Sequence, residues 1–314
     1  VLAGDTAANS TVTWSGQENP ESWTSGTNLS GFQPLPDGGA ITGLIGIDNY
    51  FLTFKRGLIY RSTFIGLPDI FVHDKIVEGT GCIAPDSLAQ YGTRVFFLSE
   101  RGFMMMNGGD PTPIGYEAID QTFFARYPRS ELDKMYAVVD PRNHRYLATM
   151  PGTPGQVYAY DWLLEQWSLI DLEALDILYP GGIDTIPVSL DSPMFQGGEP
   201  RLYIVDPSGV LGTLTGPNVA ASLEWPFRDI GYRARPFMAM PVTDCTAGMT
   251  LTLDARSRLG DAHRQVARSS IRPSGHTPVR ANGRYWKPRI DIAEGADWTF
   301  LQSVSFEYGT GGRQ

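Results

Sequence analysis

The sequence predicts an all-β protein: a β-propeller over residues 1–217, incomplete at its N-terminus, followed by a C-terminal β-sandwich over residues 218–314. Three observations point there. Glycine and proline, 35 and 23 of 314 residues, interrupt nearly every ten-residue window, too often for helical bundles or coiled coils. A strand–turn–strand pattern recurs through the first two thirds of the chain. The recurring strands are apolar on both faces, so each needs cover on two sides. With 42% apolar and 11% aromatic residues, the chain is long and greasy enough for a large core and excludes disorder as a description of the whole.

The chain opens with Val1 and runs straight into strand-like VLAGD, which points to processing or a longer parent and hence to an incomplete first domain. Residues 49–60, NYFLTFKRGLIY, coincide with residues 94–105, RVFFLSERGFMM, at an offset of 45, placing Arg56 over Arg101 and Gly57 over Gly102. Residues 201–212, RLYIVDPSGVLG, repeat the pattern with Gly209 in the same place. Glycine there admits positive φ, as in a type I turn followed by a G1 bulge, and Pro207 presets the turn. A fourth hairpin is expected in VVDPRNHRYLAT, residues 138–149, with Asn143 in the left-handed conformation. Val95, Phe96, Phe97 and Leu98 are apolar on both faces, as are Leu202, Tyr203, Ile204 and Val205. Such hairpins, spaced by about 40–60 residues, fit stacked propeller blades. A plain sandwich is the competing architecture.

Short helices are expected between the blades. In EAIDQTFFAR, residues 117–126, Ile119 and Phe123 share one helical face, and SELDKM, residues 130–135, opens on a Ser cap. The PGG, SP and QGG of Pro180 to Pro200 mark an irregular insertion. In the second domain, strands are expected at Ala220–Glu224, Ala234–Met240, Met249–Ala255, Arg264–Ser269, Arg284–Ile292 and Gln302–Tyr308. Charge divides at the same boundary. The chain carries −9 in all, but residues 1–217 hold 12 basic and 25 acidic side chains, net −13, and residues 218–314 hold 13 and 9, net +4.

Catalytic signatures are missing from the sequence: there is no G-x-x-x-x-G-K-S/T, H-E-x-x-H, G-x-S-x-G or EF-hand loop. His73, His144, His263 and His276 are dispersed, and Cys82 and Cys245 lie 163 residues apart, so neither a metal site nor a disulfide framework is suggested. A reducing assembly compartment fits. No cofactor is expected. The apolar stretch Ile41–Phe54 is broken by Asp48 and Asn49, so no membrane span is expected either. A propeller glycosidase would need two carboxylates about 5–9.5 Å apart. Many of the abundant acids read instead as turn residues, notably Asp140 and Asp206. Trp14 with Trp23, and Trp162 with Trp167, read either as sugar-stacking platforms or as packing.

The remaining candidate is an arginine set in the second domain. Arg256, Arg258, Arg264, Arg268, Arg284 and Arg289 are candidate interface residues, since 12 of the 13 basic residues there are Arg, suited to bidentate pairing with carboxylate or phosphate. Solvated strand faces are the alternative reading.

The block GTGCIAPDSLAQYGTRVFFLSERGFMMMNGG, residues 79–109, with FKRGLIYRST before it and PIGYEAID after it, resembles the packaged-DNA stabilisation and tail nozzle (tail hub) proteins of short-tailed bacteriophages. VYAYDWLLEQWSLID, residues 157–171, and the ending from Gly283 to Gln314 are similar to virion proteins of this kind. The resemblance implies a non-enzymatic virion protein, assembled in the host cytoplasm, with several copies, commonly six, forming a cyclic oligomer below the portal and its adaptor ring. Such a ring retains packaged double-stranded DNA and later conducts it out. It implies no active-site residues. Physical chemistry suits that role: six copies at −9 would carry about −54, a field that disfavours adhesion to passing DNA. Two rivals stand beside it. One is a carbohydrate-binding or carbohydrate-active propeller. The other is a DNA-contacting portal-side factor working through the arginines.

Overall fold

The computed structural model describes residues 2–4, 10–47, 49–151, 156–172, 174–178, 202–214, 216–261 and 265–310. The chain is all-β and divides into two compact units, Val1–Leu214 and Thr215–Gln314. Among the described residues no helix is long and apolar enough to cross a membrane.

In the first unit the described strands form five small antiparallel sheets, each paired in simple sequence order. The first holds β1 (Leu2–Gly4), β2 (Thr11–Trp14) and β3 (Gly31–Pro34). The second holds β4 (Ile41–Ile47), β5 (Tyr50–Lys55), β6 (Leu58–Gly66) and β7 (Ile70–Glu78). The third holds β8 (Ala89–Tyr91), β9 (Arg94–Ser99), β10 (Gly102–Asn107) and β11 (Thr112–Pro113). Helix α1 (Asp120–Arg126) precedes the fourth, of β12 (Tyr136–Asp140), β13 (Arg145–Met150), β14 (Gln156–Asp161) and β15 (Gln166–Ile170). The fifth holds β16 (Asp176–Leu178), β17 (Tyr203–Val205) and β18 (Leu211–Thr213).

Alternate side chains of one strand enter different cores, which stacks the sheets in chain order. On β5, Phe51 packs with Val12 and Trp14 of the first sheet, while Leu52 and Phe54 pack with Val95 and Phe97 of the third. On β9, Phe96 and Leu98 turn the other way, onto Tyr146, Tyr158 and Tyr160 of the fourth sheet and Phe123 of α1. Leu147, Val157 and Ala159 then face Ile177 and Ile204 of the fifth. All four residues Val95–Leu98 are 0% exposed. By contrast Leu202–Val205 are only half-buried, because sheet five has one neighbour among the described residues. First strands lie beside first strands: β1 by β4, β8 by β12 and β12 by β16, with Gln90 of β8 donating to the Gly46 carbonyl of β4 at 2.8 Å.

The residues before β9 tie three sheets together. Cys82 donates its backbone N–H to Lys55 O (2.9 Å) and Ile83 to Leu98 O (2.9 Å). Ser87 Oγ accepts from Leu98 N (3.0 Å), and the Ser87 carbonyl accepts from Tyr146 Oη (2.9 Å). Gly81 permits this approach, since a Cβ there would lie 1.9 Å from Lys55 O.

The turns follow the sequence in part. The loop of Asp206 to Val210 has the expected form, with Gly209 N–H on Asp206 O (2.9 Å), Asp206 N–H on Val210 O (3.0 Å) and Gly209 at φ 80°. In the aligned repeat the geometry differs between copies. Gly102 pairs with Ser99 at φ 121°, whereas Gly57 lies within the Arg56-Gly57 turn and outside the left-handed region. At the fourth hairpin the left-handed residue is His144 (φ 55°), not Asn143, whose side-chain amide instead bonds Asp140 (2.7 Å). The segment 130–135 lies within a 3₁₀ turn, Arg129–Lys134, entered from Pro128 with no side-chain cap, so Ser130 does not cap it. The expected insertion at 180–200 lies outside the described residues.

The second unit contains β19 (Ala221–Glu224), β20 (Arg228–Thr243), β21 (Met249–Arg256), β22 (Gln265–Ser270), β23 (Thr277–Pro278), β24 (Gly283–Ile292) and β25 (Leu301–Thr310). These six expected strands and the short β23 form one nearly closed, barrel-like antiparallel sheet, not two separate layers. The physical reason is β20. Its 16 residues pair first with β24 and then with β25, with a register shift between Asp229 and Ala234. Gly231 at φ 87°, its N–H on Asp229 Oδ1 (2.8 Å), lies in that shifted stretch. Met249, Leu251, Leu253, Trp286 and Ile290 fill the interior.

Glycine substitutions separate these turn geometries. Gly81→Ala and Gly102→Ala should each cost about 2–4 kcal/mol, because backbone or Asp120 oxygens occupy the Cβ position. Gly57→Ala, with open space and ordinary φ, should stay within about 0.5 kcal/mol of wild type. Urea unfolding of the three variants checks this; equal losses at Gly57 and Gly102 would mean that the two copies share one turn.

Candidate functional site

Cross-strand register decides what the arginine set can do. Arg268 on β22, Thr252 on β21, Arg289 on β24 and Glu224 on β19 are successive partners across one polar face. Arg289 bonds Asp291 (2.8 Å) and lies 3.9 Å from Glu224, which also pairs with Lys287. Arg256 reaches Asp254 at 3.1 Å and sits over the Phe227 ring, 4.6 Å from its centroid. Arg284 grips both Asp229 oxygens at 2.8 Å, and this hydrogen bonding, with the Gly231 N–H, holds the Asp229 carboxyl down to about 2. Arg256, Arg284 and Arg289 are therefore engaged within their own sheet. Arg258, in the turn after β21, and Arg268 are exposed and make no ion pair among the described residues. Arg264 lies outside the described residues. Interleaved carboxylates break the set into pairs, so it does not form a continuous basic stripe.

The tryptophans mostly pack. Trp14 is 7% exposed, donates Nε1 to Leu29 O (2.8 Å) and meets Phe71 edge-on at 5.1 Å. Trp162 lies against Phe96 and Tyr91, and Trp167 donates to Ile114 O (2.6 Å) while packing on Phe103. Trp23 alone of the four is exposed. Neither pair forms an open two-ring platform.

Trp14 does border a hollow on the surface of the first unit. This cleft of about 310 Å³ lies between the β2–β3 connection and the β6–β7 hairpin, and Gln17, Glu18, Leu29, Phe64 and Phe71 line it with Trp14. Successive rings stand nearly at right angles, Trp14 to Phe71 at 75° and Phe71 to Phe64 at 70°. Glu18 is the only ionisable group in the lining. Three lining residues other than glycine occupy the left-handed region: Glu18 (φ 56°), Leu29 (φ 65°) and Ile70 (φ 59°).

Buried polar groups are the features that sequence reading missed. Lys55, 0% exposed, donates Nζ to the carbonyls of Leu35, Asp37 (2.8 Å) and Gly39 (2.8 Å), and burial lowers its pKa. A lone Lys in a strand dry on both faces was its signal. Asp120 accepts from Phe103 N–H (3.1 Å) through Oδ1, while Oδ2 is buried without a hydrogen-bond partner between Gly102 and Gly115. Ser62 Oγ lies 2.6 Å from His73 Nδ1, but Ser62 is 0% exposed and His73 Nε2 has no partner, so the pair is packed rather than presented to a substrate. Among the described residues no group of His, Cys, Asp or Glu is placed to hold a metal ion. Cys82 and Cys245 are buried free thiols. Asp140 and Asp206 cap turn N–H groups, as their reading as turn residues requires, and Asp161 does the same at Leu163 and Leu164. No family model matches the sequence, and no curated protein matches it.

Two of these groups give opposite pH slopes. Burial lowers His73 from 6.5, with Asp74 opposing, so its contribution is present above about pH 6.5 and is lost on acidification. Burial raises Asp120 from 3.8, with the Phe103 N–H opposing, so its contribution is full below pH 3.8 and is lost as pH rises through the raised value. Relative to wild type, His73→Gln should gain melting temperature as pH falls from 7 to 5, and Asp120→Asn should gain as pH rises from 4 to 7. Melting curves that keep a constant offset from wild type would reject both assignments.

Proposed function

We propose that the chain is a non-enzymatic structural subunit of a bacteriophage tail nozzle or hub ring, which retains packaged DNA and conducts it out. The observation that carries this reading is the serial stack, in which central strands of sheets two, three and four (β5, β9, β13 and β14) are buried on both faces and first strands lie side by side. Such a stack is how propeller blades pack, and we extend it to a propeller whose first strands line its centre. The 79–109 block that resembles nozzle proteins is also the segment whose hydrogen bonds tie the second, third and fourth sheets. That gives the resemblance a mechanical rationale: the block is a rigidity device.

The acidic first unit fits a conduit that must not grip its cargo, because each neutralised phosphate would add affinity and slow passage. The pairing of Arg256, Arg284 and Arg289 with carboxylates of their own sheet suits this too. Packing of Trp14, Trp162 and Trp167 removes the platform that motivated the carbohydrate reading.

Native mass spectrometry and electron microscopy of the purified protein and of particles should show a cyclic oligomer, six copies being the expectation, below the portal adaptor. A strictly monomeric protein missing from virions would end this reading. Duplex DNA should bind weakly even at low salt; tight, salt-steep binding lost in Arg258→Gln/Arg268→Gln would favour the portal-side factor instead.

A further inference from the structure

We infer that the cleft bordered by Trp14, Glu18, Phe64 and Phe71 is a cation site, built to take a guanidinium or alkylammonium group. Its chemistry is specific. Phe71 stands upright to both Trp14 and Phe64, so the lining presents aromatic faces and edges to an entering cation. The single charge in the lining is the Glu18 carboxylate, which makes no ion pair among the described residues. The lining holds no Lys or Arg to compete. The chain region around it is strongly acidic, net −13 over residues 1–217, which raises the local concentration of cations and opposes anions.

The backbone supports a site rather than an accidental hollow. Leu29 and Ile70 hold left-handed φ values that bulky and β-branched residues avoid, and both face the cleft. Leu29 also fixes Trp14, through the Nε1 hydrogen bond to its carbonyl, so the strained residue sets the ring that forms the back wall. Phe64 is 54% exposed, so its ring remains open to an incoming group.

The cation has two sources: a free organic cation, or a side chain of a second copy, for which Arg258 and Arg268, exposed and without an ion pair among the described residues, are the candidates taken from the arginine set. The first arm of the test does not rest on the nozzle reading, since a monomer would bind equally. N-acetyl-arginine amide and tetramethylammonium, titrated at pH 7.5 and followed by amide NMR shifts, should bind at millimolar concentration. Glu18→Gln and Phe64→Ala, both exposed positions, should each weaken binding about fivefold or more, and raised salt should weaken it further. Shifts that ignore Glu18→Gln, preference for glucose over both cations, or no binding would overturn the proposal. In the second arm, sedimentation of Glu18→Gln and of Arg258→Gln/Arg268→Gln assigns the source. Loss of self-association in both places the second copy's arginine in the cleft; self-association unchanged in both, while the wild-type protein binds the added cations, assigns a free cation.

Discussion

A strand with no wet face cannot stand at the outside of anything. β9 is such a strand: Val95 and Phe97 press toward the second sheet, Phe96 and Leu98 toward the fourth, and all four are fully buried. Burying side chains of this size contributes about 1.5–3 kcal/mol each, an upper figure because the unfolded chain already hides some apolar surface. Four together match much of a domain's net stability. The neighbours of β9 are therefore obligatory, and β5, β13 and β14 pass the same requirement outward. Gly81 and the residues after it close the arrangement by threading backbone into space where a methyl group would collide.

Much of this was legible because period-two alternation and glycine or proline punctuation are local signals. The six strands expected in the second unit are present within a few residues of their expected ends, apart from β20, which begins earlier, and β25 and the neighbouring turns follow the same pattern. What escaped depends on distance. That β20 joins both parts of its sheet follows from pairing with β24 and β25, partners far along the chain. Gly57 and Gly102 coincide in sequence yet occupy different turn positions, because register and not alignment fixes which residue must reverse the chain.

The candidate site shows the same division. Residue types announced that the arginines were suited to carboxylates, but only the structure showed that two of those carboxylates come from neighbouring strands and two from the arginines' own strands. Glu224 and Asp229 lie about sixty residues from the arginines they meet, and Asp254 and Asp291 only two. The aromatic cleft was half visible, through Trp14, whereas Phe64 and Phe71, paired across the β6–β7 hairpin, and Glu18 of the β2–β3 connection converge on it from distant stretches of sequence. Lys55 stood in plain view within the repeat, opposite Glu100 of the second copy. Its role required knowing that three carbonyls of the 35–39 loop converge on its ammonium.

The order of pairing also separates the two units in time. In every sheet of the first unit the described strands pair with their neighbours in sequence, so closing each one involves mostly local segments and a small loop entropy. The second unit ties its long strand to the last ten described residues. On the ribosome, then, the first unit can be laid down sheet after sheet while translation continues, whereas the second must wait for its final strand to emerge.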